Sequence, residues 1–195
     1  MKSILAIGAL LLASTQAWAL SYTIGNGSSV SLNSSDPGLV VHSSMVPGLA
    51  GSTFVLNDGQ STTLSFFRIW TSESAVNADD RVAKSIIATL DFLVPDESAI
   101  ISGTTRGATQ FLGLFQAGVL TWTGPALVTA ADRVFSVALS DAVFNQGVLW
   151  GLGCKGATVE ATITQVSSTV PDSATTLSLL GLALLGLVAM RRRVA

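Results

Sequence analysis

Between residues 20 and 166 the chain alternates apolar and polar positions with a period of two. From Val82 to Val94, one face carries Val82, Ile86, Ala88, Leu90, Phe92 and Val94, with Lys84 as its exception. Ser85, Thr89 and Asp91 lie opposite, with Ile87 as an apolar intruder. Thr158 to Val166 repeats the pattern more cleanly, with Val159, Ala161 and Ile163 against Thr158, Glu160, Thr162 and Thr164. Arg133 to Leu139 does so through Phe135, Val137 and Leu139. Successive strand side chains point to opposite faces, so each of these segments reads as a half-buried strand. Thr62 to Trp70 is apolar on both sides, Leu64, Phe66 and Trp70 against Phe67 and Ile69. That predicts a strand buried on two faces or one carrying a bulge.

Turn sequences punctuate these runs. Asn57-Asp58-Gly59-Gln60 separates Thr53–Leu56 from the run beginning at Ser61, and predicts a tight hairpin with positive φ in its turn. Further turn clusters stand at Gly25–Gly27, Ser34–Gly38, Val46–Gly48, Ser102-Gly103 and Thr123–Pro125. The repeated glycines of Gly107–Gly118 argue against a stable helix there. Short strands joined by Gly-, Ser- and Pro-rich turns predict an all-β fold. The expected architecture is a single β-sandwich over residues 20–166, jelly-roll or Ig-like in topology.

Two compact apolar runs sit at the ends, Ile4–Leu12 and Leu177–Met190. Lys2, the first run and Ala17-Trp18-Ala19 together follow the plan of a signal peptide over residues 1–19, with signal peptidase cutting between Ala19 and Leu20. Nine apolar residues are too short to span a bilayer core as a helix, which takes roughly 20. The second run gives a C-terminal hydrophobic helix of about 21 Å, a short transmembrane span. Arg191, Arg192 and Arg193 follow it and would stay on the cytoplasmic side of the inner membrane. Ser167–Thr169 reads as a short polar linker between the domain and this tail.

Val170-Pro171-Asp172-Ser173, the apolar helix and the arginine cluster, in that order over residues 170–195, resemble a PEP-CTERM sorting signal of the VPDSG variant. The sequence departs from the variant at Ala174, where the pattern has glycine. The resemblance implies an exosortase-type processing enzyme as partner. It implies a transient or permanent stay in the inner membrane, and then a place at the cell surface or outside the cell. The class is typical of Gram-negative bacteria that make extracellular polysaccharide, a further possible partner. An ordinary C-terminal membrane anchor is the plainer alternative. The run Val55–Gln60, with Phe66-Phe67 and Asn77–Asp80, is also similar to β-domains carried by such proteins, which implies a surface β-sandwich and no particular activity.

A length of 195 residues suits one domain with terminal appendages. Charged residues make up only 11% of it. Within residues 20–170, six Lys/Arg against eleven Asp/Glu leave a net charge of −5. An acidic domain without a basic stripe is not built for nucleic acid. Cys154 is the one cysteine, so there is no intramolecular disulfide. One cysteine and one histidine, His42, fall short of a zinc site. His42 has Ser43 and Ser44 beside it but no nucleophile-elbow motif, so an ordinary turn or strand role is expected. Gly151-Leu-Gly-Cys-Lys-Gly156 matches a dinucleotide fingerprint in letters only; a strand follows it where a helix is needed, so it reads as a turn joining two strands.

Glu73, Asn77, Asp79 and Asp80 are a weak calcium candidate, against the reading of a solvated acidic loop. Trp70, Trp122 and Trp150 are weak carbohydrate-stacking candidates, against burial in the core. Asp96-Glu97 after Pro95 reads as a turn rather than a catalytic carboxylate pair. The expectation is a non-enzymatic exported protein without cofactor or metal, structural or adhesive in the extracellular matrix. The alternative is a carbohydrate-binding module that uses exposed tryptophans.

Overall fold

A computed structural model of the chain describes residues 19–110, 115–148, 156–168 and 181. Apart from Ala19 and Gly181, the expected signal helix and C-terminal helix lie outside these residues. The β-domain falls within the unit Ala19–Val170. Its strands are β1 (Leu20–Ile24), β2 (Ser29–Leu32), β3 (Val41–Met45), β4 (Thr53–Leu56), β5 (Ser61–Thr71) and β6 (Lys84–Val94). They continue with β7 (Glu97–Gln110), β8 (Phe115–Trp122), β9 (Ala126–Thr129), β10 (Arg133–Leu139), β11 (Ala142–Val148) and β12 (Ala157–Ser168). A 3₁₀ turn, η1, covers Asp79–Arg81.

The strands form two antiparallel sheets. The first runs β11-β8-β7-β6-β1-β4, with β2 also paired to β6, and the second runs β3-β5-β12-β10-β9. β1 and β2 lie end to end along one edge of β6, separated by Gly25–Ser28. Asp91 of β6 fills the break: its Oδ2 accepts from the Gly27 amide at 2.9 Å, and its own amide donates to Ser28 Oγ at 3.0 Å. A Cβ on Gly25 would stand 2.0 Å from that carboxylate, so glycine is required there.

The period-two segments are strands with the expected inward faces, except that Val82 lies outside β6 and both Val82 and Val94 are exposed. Ile86, Ala88, Leu90 and Phe92 of β6, Val159, Ala161 and Ile163 of β12, and Phe135, Val137 and Leu139 of β10 are all buried. β5 carries a bulge. Val159 pairs with Phe67 and Glu160 with Ser65, which leaves Phe66 as the extra residue. Inward positions therefore switch parity, from Leu64 and Phe66 to Phe67, Ile69 and Thr71. The doubly apolar pattern of the sequence comes from this switch.

Three local expectations are corrected. The turn at Asn57–Gln60 forms, with Gly59 at φ 79° and the Gln60 amide donating to Asn57 O, but it does not close a hairpin. β4 pairs with β1 in the first sheet while β5 belongs to the second, so the turn is a corner between sheets. It is held against β12 rather than against its own flanks: Gly59 donates to Gln165 O and the Gln165 amide to Gln60 O. Ser102-Gly103 is not a turn but the middle of β7, where Gly103 pairs with Trp122 and makes room for its indole. Ser167 and Ser168, expected in a linker, are strand residues paired with Val134 and Arg133.

One hydrophobic core lies between the sheets. Its aromatic centre joins both: Tyr22 of β1 meets Phe135 of β10 edge-on at 5.4 Å, and Phe92 of β6 meets the same ring at 5.0 Å. Each fully buried side chain of this size contributes about 1.5–3 kcal/mol relative to exposure. Gly107 and Gly118 face each other across β7 and β8. A Cβ on Gly118 would strike the Phe144 ring at 2.1 Å, and one on Gly107 would strike Val76 at 2.7 Å. Side chains from elsewhere occupy the space that these glycines leave.

Candidate ligand-binding face and sorting signal

The outer face of the second sheet carries the aromatic residue that the sequence singled out. The alternation of β5 after its bulge puts Arg68 and Trp70 on this face, with Ile69 in the core. β3 runs alongside, so His42 pairs with Trp70 and Ser44 with Arg68. The His42 and Trp70 rings stack at 5.8 Å with 28° between planes. His42 Nε2 also lies 3.1 Å from Ser72 Oγ. On the other side β12 places Thr158 opposite Arg68. Gly156, just before β12, comes so close that a Cβ there would stand 3.3 Å from Trp70 Cβ. Its φ of 85° is the left-handed region that suits glycine. Ser44, Arg68, Trp70 and Gly156 line a shallow groove. Farther along the sheet the face is a ladder of hydroxyls, with Ser61–Thr164 at 2.8 Å and Thr63–Thr162 at 2.9 Å.

Of the other two candidate tryptophans, Trp122 does not join it. Trp122 is a core residue, 9% exposed, edge-on to Phe67 and donating from Nε1 to Ser140 O at 3.1 Å. Its parity on β8 turns it inward, which removes it as a stacking platform. Trp150 lies outside the described residues. The groove residues that sequence reasoning missed are Arg68, Ser44 and Gly156. Arg68 was within reach, since it stands two positions from Trp70 and must share its face.

The acidic residues after β5 line a second groove, with Asp36, Glu73, Asn77, Asp79 and Asp80 along its wall. Backbone amides hold these side chains: Val40 donates to Glu73 Oε1 at 2.5 Å, Gly38 to Asp79 Oδ2 at 3.0 Å and Asn77 to Asp80 Oδ2 at 2.6 Å. Among the described residues no group of three or more His, Cys, Asp or Glu has a metal-holding arrangement. Burial pushes the Glu73 carboxyl above its ordinary pKa; the Val40 amide opposes this, and Asp80 and Asp79 add to it. A group whose pKa is raised on folding favours the folded state only below that raised value, so ionised Glu73 costs stability at neutral pH. Glu73→Gln keeps the acceptor for Val40 and removes the charge. We expect its melting temperature to exceed that of the unmodified chain at pH 7. The advantage should vanish below the ordinary carboxylate range. Equal melting temperatures across pH 3–8 would refute this.

A third polar cluster closes the end of the core where β12 finishes. The Tyr22 hydroxyl donates to Gln165 Oε1, and Gln165 Nε2 donates to Ser167 O at 2.7 Å and Asp58 Oδ1 at 3.3 Å. Arg133 lies over the Tyr22 ring at 4.9 Å and forks onto Asp132. Its hydrogen bonds to Asp132 hold the Asp132 carboxyl below the usual range, and burial pushes the Tyr22 hydroxyl up.

The residues around the expected signal cleavage are divided. Ala19 is exposed and Leu20 opens β1, buried and paired with Leu56, while Ala17 lies outside the described residues. Val170, Pro171, Asp172, Ser173, Arg191, Arg192 and Arg193 also lie outside them, as does Cys154. Comparison with known families bears directly on that stretch: the model of the VPDSG-CTERM motif matches residues 169–194. The chain carries a VPDSG-CTERM motif. It is a PEP-CTERM-like exosortase sorting signal, and it implies processing by an exosortase-type enzyme. An exported protein anchored at the cell surface follows. The match begins one residue beyond Ser168, where β12 ends. No curated protein and no solved structure matches the chain. Among the described residues no helix is long and apolar enough to cross a membrane.

Proposed function

We propose that the protein is a non-enzymatic component of the extracellular matrix, structural or adhesive. A β-sandwich would be its displayed module and the VPDSG-CTERM tail its delivery device. The observation that carries this reading is the motif match over residues 169–194, set directly after the last strand of a folded domain. In this scheme signal peptidase releases the chain before Leu20, the run Leu177–Met190 pauses in the inner membrane, and an exosortase-type enzyme cuts near the motif. Neither cofactor nor metal takes part.

The test is the intact mass of the protein from its own host, with both termini sequenced. We expect a chain that begins at Leu20 and ends near Pro171 or Asp172. A chain that keeps residues 177–193 would mean a plain membrane anchor. Deleting residues 170–195 should abolish the surface-held fraction and move the protein into the periplasm or medium; unchanged surface retention would sink the sorting scheme.

A second reading is favoured by one specific observation: Trp70 stacks on His42 beside a shallow groove in a hydroxyl-rich sheet face. Indole faces bind the apolar faces of sugar rings, while hydroxyls serve as both donors and acceptors for their hydroxyl groups. On this reading the domain holds a polysaccharide through Trp70, while Trp122 is buried in the core.

A further inference from the structure

We infer that the groove beside Trp70 selects acidic sugars, the uronate residues of a polysaccharide, through Arg68. The inference rests on the saccharide reading above and adds the charge of the ligand. Three adjacent strands place Ser44, Arg68 and Thr158 in one row across the outer face. Arg68 is exposed, and the ion pair found among the described residues, Arg133–Asp132, does not involve it. Glu160 shares its face but pairs with Ser65 and makes no ion pair with it among those residues. A guanidinium without an ion pair among the described residues therefore lines the same groove as the aromatic platform, two residues along the strand.

The packing around Trp70 gives the groove a direction. His42 covers one side of the indole as its direct cross-strand neighbour. Among the described residues, the neighbour on the opposite side of Trp70 is Gly156, which has no side chain to lay over the indole. A pyranose ring stacked there would have Arg68 and Ser44 along its edge, the residues that line the same groove. A guanidinium presents a planar fork of donors that matches a carboxylate in two parallel hydrogen bonds, which neutral hydroxyls do not reproduce. The domain's overall acidity acts on a bound polymer only through a field screened within about 8 Å at physiological salt. Arg68 acts at contact.

The test uses the full chain in detergent, titrated with polygalacturonate and with the same polymer after methyl esterification of its carboxyls. We expect the acidic polymer to bind about tenfold more tightly, the factor that one charge-assisted contact supplies. Arg68→Gln should erase most of that difference, weakening binding of the acid far more than binding of the ester. Trp70→Ala should lose both polymers, with a thermal melt confirming that the domain stays folded. Equal binding of acid and ester by the unmodified chain overturns the uronate inference and leaves the saccharide reading intact. Binding of neither polymer overturns both.

Discussion

Replacing Arg133 with methionine should destabilise the β-domain by about 3 kcal/mol, because it removes several unequal contacts at once. Arg133 shares the inward parity of Phe135, Val137 and Leu139, and it is only 5% exposed. Its Nη1 donates to Ser21 O at 2.6 Å, a bond from a charged donor worth about 1.5–3 kcal/mol. Its position over the Tyr22 ring adds about 2 kcal/mol where water is excluded. The fork onto Asp132 counts for less, about 0–1 kcal/mol, because the Asp132 side chain is 44% exposed. Methionine retains most of the buried stem, so the loss isolates the guanidinium. These contacts share one group and do not add fully. At roughly 2–4 °C per kcal/mol, the melting temperature should fall by about 6–12 °C. A fall below about 2 °C would show that the guanidinium contributes little.

The pH dependence of that variant follows from Asp132. Its pKa is lowered in the fold by the hydrogen bonds from Arg133. A depressed carboxylate stabilises the fold above its unfolded value, and the contribution disappears as pH falls through the folded one. The difference between Arg133→Met and the unmodified chain should therefore narrow below the ordinary aspartate range, by an amount limited by the exposure of Asp132. The cluster also links the domain's two ends, because Arg133 bonds to Ser21 near the start of β1 and pairs with Ser168 at the end of β12. Loosening it should free the strand that leads into the sorting motif.

What the sequence made legible is what depends on one strand at a time. β6, β10 and β12 each have one face in the core and one in water, and period two is the direct imprint of that arrangement. Features that arise between strands were hidden. The bulge at Phe66 depends on the register against β12, so β5 alone offered two readings. The Asn57–Gln60 turn has hairpin residues in a hairpin position, yet Gln165, more than a hundred residues away, decides that it bends from one sheet to the other. Gly103, Gly107 and Gly118 look like breaks in a strand but serve as sockets for Trp122, Val76 and Phe144. The same limit applied to the candidate site. A tryptophan on a strand is a platform or a core residue according to its parity and register, so Trp70 and Trp122 could not be separated until both sheets were seen. The sorting signal was readable because a sorting enzyme reads it as a linear segment too.

Removing the Asn145 side chain should cost about 2–3 kcal/mol and should disturb the groove at Trp70 as well. Asn145 sits in β11 at φ 50°, where the pairing with β8 slips between Phe144 and Gly147. Its amide reaches across to the other sheet. Nδ2 donates to Thr71 O at 3.0 Å, while Oδ1 accepts from the Thr71 amide and from the Gly156 amide, both at 3.2 Å. The side chain acts as one more peptide group, extending the ladder of β5 beyond Ile69, where its pairing with the start of β12 ends. Asn145→Ala strands three part-buried backbone groups and also keeps a left-handed backbone that alanine disfavours by about 1 kcal/mol. Asn145→Gly loses the same bonds without that strain, so it should be the milder by about 1 kcal/mol. A glycine variant as stable as the unmodified chain would show that the amide contributes nothing. Thr71 follows Trp70 directly, and Gly156 faces Trp70 from the other strand, so this one amide fixes both walls of the groove. Hydrogen exchange at Thr71 and Gly156 should accelerate in both variants while the amides of β6 stay protected. Saccharide binding should weaken in Asn145→Gly even at temperatures where the domain remains fully folded.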